Sequence, residues 1–331
     1  MSKEGSKPRI LLTGKTGQVG SALVPLLDRM GQLTALDRRE LDLGKPEQIR
    51  RAVRAVRPEL IVNAAAYTAV DRAESDGATA QAINSAAPAV LAEEAKRLGA
   101  LLVHYSTDYV FDGTKRSPYV EDDPLNPLNV YGKTKLAGER AIQEIGPPHL
   151  IFRASWVYAP RGRNFLLTVL RLATEKEELR IVRDQTGAPT SSQAIAAATC
   201  SVLSKIRADA NSLQSRPEAK CIYHMTAGGE TSWYGFAELI LELASSQSPA
   251  RDWLAAATSH RPLMARRIVP ISTEEFPTPA RRPAYSVLAN RKLNETFGVR
   301  LPHWQEQLRA VFSDRGEAYI AGTVEDRGAE K

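Results

Sequence analysis

The stretch "RILLTGKTGQVG", residues 9–20, contains a short apolar run, a glycine-rich turn and the start of a helical pattern. The glycines are Gly14, Gly17 and Gly20. The first permits a tight turn, the second lets backbone N–H groups approach a diphosphate, and the third allows a helix to pack closely on a sheet. The positive end of that helix would face the same anion. The stretch therefore predicts a phosphate-binding loop between a first strand and a first helix.

Further apolar runs follow this loop and are separated by segments of helical length. The runs are "QLTALD" (32–37), "LIVNAA" (60–65), "LLVHYST" (101–107) and "LIFRASW" (150–156), and the helical segments are 18–30, 46–57, 79–98 and 131–145. Strands that alternate with helices form βαβ units and a parallel sheet. Nearly continuous apolar character indicates a sheet that is covered on both faces. The sequence therefore predicts an α/β protein with a Rossmann-type, doubly wound parallel sheet.

An acidic residue ends the second predicted strand. Asp37 lies 23 residues beyond Gly14, where a carboxylate can bind the adenine ribose hydroxyls of a dinucleotide. The next residue, Arg38, can face a 2′-phosphate instead. The acid favours NADH and the arginine favours NADPH, so the sequence leaves that choice open.

The pattern becomes less regular after residue 157, although helices are still indicated at 164–176, 192–207, 233–246 and 303–313. We predict an NAD(P)-binding Rossmann domain over residues 8–156. A smaller α/β substrate-binding domain is predicted over residues 157–315, with some elements returning to the sheet. Residues 316–331 form a polar tail.

Two short motifs predict the reaction centre. The glycine spacing resembles that of extended short-chain dehydrogenases/reductases, which also carry Ser or Thr at the end of the fourth strand and a Tyr-x-x-x-Lys pair. "HYSTDYV" supplies Ser106 and Thr107, and "YGKTK" supplies Tyr131 and Lys135 on one face of a helix. We expect the lysine ammonium to lower the pKa of the phenol, and Thr107 to hold the substrate oxygen, with Ser106 as the competing hydroxyl.

The residues after Thr107 narrow the chemistry. Related dehydratases that act on nucleotide sugars follow this threonine with Asp-Glu, which perform the elimination. Here the run is Asp108-Tyr109, so the glutamate is missing, although Asp108 can still orient a sugar hydroxyl. The sequence therefore favours simple carbonyl reduction.

Longer segments resemble the dTDP-4-dehydrorhamnose reductase family in order along residues 9–312. They are "GKTGQVG", "VNAAAYTAVDRAES", "HYSTDYVFDGT", "PLNVYGKTKLAGE", "RASWVY", "DQTGAPT" and "PTPARRP". The resemblance implies reduction of the C4 keto group of dTDP-4-dehydro-L-rhamnose with NADPH or NADH. The product would be dTDP-L-rhamnose for cell-surface polysaccharide such as lipopolysaccharide.

The same resemblance implies roles for individual residues. Tyr131 would donate a proton to the C4 oxygen, and Lys135 would bind the nicotinamide ribose, with Thr107 assisting. The implied cofactor contacts are Gly17, Gln18 and Val19 at the diphosphate, Asp37 at the adenosine ribose, Asp42 and Leu43 at the adenine, and Ala66, Tyr67 and Thr68 beside the third strand. The implied dTDP-sugar contacts are Asp108 and Trp156, with Asn164, Gln185 and Arg282 at the nucleotide diphosphate. Without the family, Trp156 would be read as a core residue and Arg282 equally well as a surface arginine.

Composition restricts the setting. The chain has 331 residues, 43% apolar and 25% charged, with net charge +6 and two cysteines, Cys200 and Cys221, that form neither a metal-spaced cluster nor a disulfide framework. No secretion signal, membrane-spanning run or basic stripe interleaved with aromatics is visible. We therefore expect a cytoplasmic protein that binds neither membranes nor nucleic acid, and a homodimer. Related enzymes can bind Mg²⁺ at a subunit contact, but no carboxylate cluster in the sequence marks such a site, so no metal ligand is assigned.

Two other functions fit parts of the pattern. The regulatory β subunit of methionine adenosyltransferase resembles the same family and would bind NADP and a partner enzyme without turnover. A nucleotide-sugar epimerase or dehydratase would retain NAD through its cycle. The intact Thr107, Tyr131 and Lys135 favour the reductase over the first, and Tyr109 argues against the dehydratase branch of the second.

Overall fold

The computed structural model describes residues 7–208, 216–246 and 252–313. Within these ranges the chain forms twelve strands: β1 Arg9–Thr13, β2 Gln32–Leu36, β3 Leu60–Asn63, β4 Leu101–Thr107, β5 His149–Ala154, β6 Val157–Tyr158, β7 Glu178–Val182, β8 Thr186–Gly187, β9 Thr190–Ser191, β10 Lys220–His224, β11 Thr231–Ser232 and β12 Arg267–Ile271. The α-helices of the same ranges are α1 Gln18–Met30, α2 Pro46–Val56, α3 Val70–Ala73, α4 Gly77–Gln81, α5 Ala87–Leu98, α6 Val130–Ile145, α7 Phe165–Ala173, α8 Ser192–Ala208, α9 Trp233–Ser246, α10 Asp252–Ala257, α11 Arg291–Phe297 and α12 Trp304–Phe312.

Six parallel strands form the central sheet in the order β10-β5-β4-β3-β1-β2. The predicted Rossmann-type α/β fold is therefore confirmed. Strand order reverses between β1 and β3, and in such sheets ligands bind at the carboxyl ends of the strands beside this point. The glycine loop after β1 lies at that position.

Apolar side chains of alternate strand residues form the core on both faces of this sheet. On one face, Leu12 and Val62 belong to a cluster that includes α1 and α8. On the other, Leu11 and Ile61 join a cluster that includes α2, α5 and α6. These two layers explain why the strand runs are apolar at nearly every position.

The second half of the chain contributes to the same sheet. β10 pairs in parallel with β5, and α8 packs against α1. A separate apolar cluster joins α7, α9 and α12 to β7. The described residues after position 156 therefore form one edge of the sheet, through β10. They also form a second layer beside the sheet, made of α7, α9, α12 and β7.

The predicted helix 79–98 is interrupted. It consists of α4, a π-helical turn Ala82–Ala86 and α5. In that turn the Asn84 amide donates to the Tyr67 carbonyl oxygen at 3.0 Å, and its oxygen accepts from the Tyr67 N–H at 2.8 Å. A methyl group at Gly138 of α6 would collide with the Asn84 carbonyl oxygen. The π-helical turn therefore positions Asn84 for contacts with Tyr67 and with α6, which the helical pattern alone does not predict.

The predicted tail, residues 316–331, lies outside the described residues. Among the described residues, no helix is both long enough and apolar enough to cross a membrane.

A buried ion pair joins helix α6, which carries Tyr131 and Lys135, to the sheet. Arg153 of β5 donates to both carboxylate oxygens of Glu139 in α6, at 3.0 and 2.7 Å. Both side chains are 1% exposed, so each charge depends on the other for compensation.

We predict that Glu139→Leu lowers the free energy of unfolding by about 3–5 kcal/mol, because it leaves the Arg153 guanidinium buried without a counter-charge. Urea unfolding followed by tryptophan fluorescence measures the change. The double variant Arg153→Met/Glu139→Leu should recover much of the loss. The exposed pair Arg291–Glu295 provides a control, and Arg291→Met should cost less than about 1 kcal/mol. Equal losses in the single and double variants would contradict this account.

Candidate active site

A cavity of about 600 Å³ lies at the carboxyl ends of β1, β3 and β4. All the residues that the sequence assigned to the cofactor line it: Gly14, Gly17, Gln18, Val19, Asp37, Arg38, Asp42, Leu43, Ala66, Tyr67, Thr68, Tyr131 and Lys135. Residues that are far apart in the chain thus meet in one space.

The glycine loop forms one wall. Gly14 has φ +77°, and a Cβ there would come within 2.9 Å of the Ala65 backbone. A Cβ at Gly20 would collide with the Gly14 carbonyl oxygen, so both positions require glycine. α1 begins just after Gly17, and no side chain caps its first turn. Its first N–H groups therefore fit a diphosphate anion.

The end of β2 forms the adjoining wall. The Asp37 carboxylate accepts hydrogen bonds from the backbone N–H groups of Arg39 at 2.8 Å and Glu40 at 3.3 Å. These bonds, that of Arg39 first, lower the pKa of Asp37, so the group is ionised at neutral pH. Asp42 similarly holds the N–H of Gly44 at 3.0 Å. The wall therefore presents a fixed carboxylate beside the side chain of Arg38.

The reaction-centre pair lies in the first turns of α6. Asn129 caps this helix by accepting from the Gly132 N–H at 2.8 Å. A methyl group at Gly132 would collide with the Tyr109 carbonyl oxygen, so α6 is pressed against the turn that follows β4. This contact places the Tyr131 phenol near the Thr107 hydroxyl at the end of β4.

Burial controls the charge of this pair. It raises the pKa of Tyr131 to about 12, with the Thr107 hydroxyl acting in the opposite direction. Burial also lowers the pKa of Lys135 to about 8. The expectation that Lys135 brings the pKa of Tyr131 down is therefore wrong. The physical reason is desolvation of the phenol, while the ammonium Nζ donates to the Tyr105 carbonyl oxygen at 2.5 Å.

Ser106 and Thr107 occupy different places. Ser106 lines the cavity, and its buried Oγ has no hydrogen-bond partner within the described ranges. Thr107 donates to Asp108 Oδ1 at 3.0 Å and accepts from the Tyr109 N–H at 3.2 Å. The threonine is thus bound to its neighbours beside Tyr131, while the serine faces the cofactor side.

Asp108 is a buried carboxyl group at the reaction centre. Its side chain is 2% exposed, and burial raises its pKa to about 7, although hydrogen bonds from Ser286 and Thr107 act in the opposite direction. Near neutral pH the group therefore exists in both protonation states, and it can either accept or donate a hydrogen bond.

Trp156 and Gln185 meet through a residue that the sequence did not indicate. Trp156 has φ +47°, a strained backbone conformation for a bulky residue, and stacks on Trp233 with ring centroids 3.5 Å apart. The Trp233 indole donates to Gln185 Oε1 at 3.1 Å. Trp233 was missed because an aromatic residue that starts an apolar helix looks like ordinary core.

Asn164 and Arg282 have structural partners. Asn164 caps α7 through the Leu167 N–H and donates to Gln18 Oε1 at 2.8 Å, so it joins the second layer to the phosphate loop. Arg282 donates to both carboxylate oxygens of Asp71, at 3.1 and 2.8 Å. The guanidinium fork expected to face a nucleotide diphosphate is therefore already paired.

Further residues line the cavity although the sequence predicted no individual role for them. They are Thr16, Leu41, Ala64, Ala65, Ala69, Arg72, Ile83, Tyr105, Ala154, Val157, Gly162 and Arg163. Arg163 comes from the loop "APRGRN", which belongs to no spaced motif. With Arg38, Arg72 and Lys135 it gives the cavity lining four cationic side chains, which suits an anionic ligand.

Known proteins resemble this chain along almost its whole length. A family model described as "RmlD substrate binding domain" matches residues 8–316. The chain belongs to this family. The dTDP-4-dehydrorhamnose reductase of Burkholderia thailandensis is 51% identical over 300 residues, which are 90% of this chain and 95% of that protein. The Escherichia coli K12 protein of the same name is 43% identical over 309 residues, 92% of this chain and 97% of its own.

Solved structures of RmlD relatives share the fold. The Bacillus anthracis dTDP-4-dehydrorhamnose reductase, crystallised in complex with NADP, has a TM-score of 0.79 and 32% identity. The match covers 92% of this chain and 99% of that one. A Thermus thermophilus UDP-glucose 4-epimerase, at 20% identity and a TM-score of 0.70, shows the likeness of fold alone. The family resemblance predicted from sequence is confirmed.

The RmlD-family chain has no group of three or more His, Cys, Asp or Glu side chains placed to hold a metal ion, as far as residues 7–208, 216–246 and 252–313 are concerned.

Asp108 gives stability a specific pH dependence. Because its folded pKa is raised above the ordinary carboxyl value, the folded state binds its proton more tightly than the unfolded state does. We therefore predict that the contribution of Asp108 is fully present below about pH 4 and is lost as pH rises through about 7. Asp108→Asn should remove that decline, so the difference in free energy of unfolding between variant and wild type should grow from pH 5 to pH 8. Urea titrations at each pH measure it, and a constant difference would contradict the assignment.

Proposed function

We propose that the protein is an NAD(P)H-dependent oxidoreductase that reduces the C4 keto group of dTDP-4-dehydro-L-rhamnose to give dTDP-L-rhamnose. The observation that carries the proposal is one cavity with a diphosphate loop at one end and the Tyr131 phenol at the other. Curated relatives of the same name at 43–51% identity support the substrate.

The cofactor supplies the hydride when it is bound. The uncapped first turn of α1 would hold its diphosphate, and Asp37 or Arg38 its adenosine ribose. The ammonium of Lys135 would bind the nicotinamide ribose from the floor of the cavity. Each of these assignments is supported by position along one cavity lining.

Tyr131 would act as the proton donor. With a pKa of about 12, its phenol keeps its proton at neutral pH and is therefore ready to give it to the oxygen that gains negative charge. The Thr107 hydroxyl, which acts to lower the pKa of Tyr131, and the positive charge of Lys135 would both favour the phenolate as it forms.

The sugar nucleotide would lie against Asp108 and the stacked Trp156–Trp233 pair. Because its pKa is about 7, Asp108 can either donate or accept a hydrogen bond near neutral pH, and a sugar hydroxyl can do both as well. The indole faces suit a flat base or a sugar ring. Gln185 would position Trp233 rather than contact the diphosphate, since its amide is engaged with Trp233 and Thr273.

We predict that Tyr131→Phe lowers kcat by about 10²–10⁴-fold, because it removes the proton donor without removing the ring. The assay follows NAD(P)H absorbance with dTDP-4-dehydro-L-rhamnose supplied by the upstream enzymes. The matched control is Tyr223→Phe, which removes a buried phenol that donates to the backbone carbonyl oxygen of Glu218 at 3.0 Å. This variant should keep the wild-type kcat. A wild-type protein that oxidises neither cofactor would refute the proposed function.

Cofactor preference depends on Asp37 and Arg38. We predict that Asp37→Asn, which keeps an oxygen for the backbone N–H groups of Arg39 and Glu40, raises the KM for NADH and lowers it for NADPH. The change in preference should be about tenfold, because the variant loses charged bonds to ribose hydroxyls and repels a 2′-phosphate less. Arg38→Ala should change the preference in the opposite direction. Steady-state kinetics with both cofactors decide, and unchanged ratios would remove these residues from the adenosine site.

The proposal extends to the domain division, the assembly and the location of the protein. The division into a cofactor domain over residues 8–156 and a mainly substrate-binding domain over 157–315 is supported by the separate core cluster of α7, α9 and α12. A location in the cytoplasm, with the product used for lipopolysaccharide, is supported by the need for NAD(P)H and a nucleotide sugar and by the free thiols of Cys200 and Cys221. A homodimer is proposed because it is the commonest assembly of soluble oligomers.

A further inference from the structure

Four buried polar side chains form a continuous line from β1 to α6. Thr13 Oγ1 lies 2.7 Å from Asn63 Oδ1, and Asn63 Nδ2 lies 3.0 Å from His104 Nδ1. His104 Nε2 lies 3.3 Å from Lys135 Nζ. Each of the four residues is 1% exposed. The line therefore reaches the reaction-centre lysine without contact with solvent.

The register of the sheet produces this line. Thr13 pairs with Asn63 in the ladder between β1 and β3, and Asn63 pairs with His104 in the ladder between β3 and β4. Paired residues of neighbouring strands point to the same face, so the three side chains form a row. Among them, none lines the cofactor cavity. Their place is beneath the site rather than within it.

Hydrogen-bond chemistry determines the direction of the line. An ammonium can only donate, so His104 Nε2 must accept from Lys135, and the ring proton must then reside on Nδ1. In the structure Asn63 Nδ2 faces His104 Nδ1, and Asn63 Oδ1 accepts from Thr13. We assign the flipped amide orientation, in which Asn63 Oδ1 accepts the ring proton of His104. The amide nitrogen then donates to Thr13 Oγ1. Burial lowers the pKa of His104 well below its ordinary value, so the ring is neutral and able to accept.

We propose that His104 is a positioning residue that accepts a hydrogen bond from the Lys135 ammonium, with its tautomer fixed by Asn63 and Thr13. The proposal rests on the reductase function, in which Lys135 must be charged to hold the ribose and favour the Tyr131 phenolate. Without this acceptor, the ammonium would retain the Tyr105 carbonyl oxygen as its protein acceptor on β4. Its orientation and its charge would both be less well defined.

The titratable groups around Lys135 come from α6, β4 and β5. On its own helix, Glu139 raises the pKa of the lysine, and Glu139 is itself paired with Arg153 of β5. From β4 the neighbour is the neutral ring of His104, and on α6 the phenol of Tyr131 is also neutral at physiological pH. Loss of the His104 acceptor should therefore change the titration of Lys135 directly.

The test compares two substitutions at residue 104 in the full-length enzyme, with saturating NADPH and dTDP-4-dehydro-L-rhamnose as the varied substrate. His104→Gln retains an amide oxygen that can accept from Lys135, whereas His104→Phe retains volume and removes the acceptor. We expect the Gln variant to stay within about threefold of the wild-type kcat/KM and the Phe variant to lose about tenfold or more at pH 8.

The pH profile is the readout that a merely structural role would not change. The activity that requires the ammonium is lost as pH rises through the pKa of Lys135. For His104→Phe that pKa should fall, because the charged form loses a hydrogen bond, and the alkaline limb of kcat/KM should move to lower pH by about one unit. His104→Gln should keep the wild-type limb.

Asn63→Leu tests the rest of the line. It leaves the ring proton of His104 without an acceptor, so the alkaline limb should move in the same direction by a smaller amount. Combined with His104→Gln, it should have no further effect on the limb, because the tautomer no longer exists to be fixed. Additive effects of the two changes would contradict the line.

Controls separate the possible failures. His149→Phe removes another buried histidine of the same sheet, at the start of β5, and should leave the pH profile unchanged. Circular dichroism and thermal unfolding establish folding; if His104→Phe is unfolded, the limb of Asn63→Leu decides. A folded His104→Phe or Asn63→Leu with the wild-type limb overturns the role of His104. A wild-type enzyme without turnover overturns the reductase function instead.

Discussion

Helix α6 meets the rest of the protein backbone to backbone at Gly132 and Gly138. Any side chain at these positions would collide with the carbonyl oxygens of Tyr109 and Asn84. This close approach brings Tyr131 to the end of β4 and Lys135 to the interior of the sheet. It also places Asn84 behind the cavity wall, where its side chain holds the backbone of the lining residue Tyr67. The reaction centre therefore depends on two residues that have no side chain.

The electrostatics of the site follow from that packing. Burial keeps Tyr131 protonated and Asp108 partly protonated, and it weakens the hold of Lys135 on its proton. A neutral phenol beside a lysine ammonium whose pKa is lowered to about 8 is ready to give one proton. Any sugar or cofactor group that enters will change these balances, because it replaces the remaining water.

Local patterns determined most of what the sequence could predict. α1 and β4 lie where their apolar patterns place them, and the cavity lining near Gly17 and Asp37 follows from the rule that parallel strands end at one edge. The paired state of Arg282 could not be predicted, because Asp71 lies 211 residues away in the chain. The same holds for the stack of Trp156 on Trp233 and for the raised pKa of Tyr131, which arise only after distant segments meet.

The position of β10 in the sheet has a consequence for synthesis of the chain. A ribosome makes β1 to β5 first, but the edge of β5 stays open until residues 220–224 emerge and pair with it. The apolar face of α1 likewise waits for α8. Nascent chains therefore pass through a stage with an unpaired strand edge and exposed apolar surface, features that favour aggregation and chaperone binding. The same arrangement means that the first half of the chain, released alone, would carry an incomplete sheet.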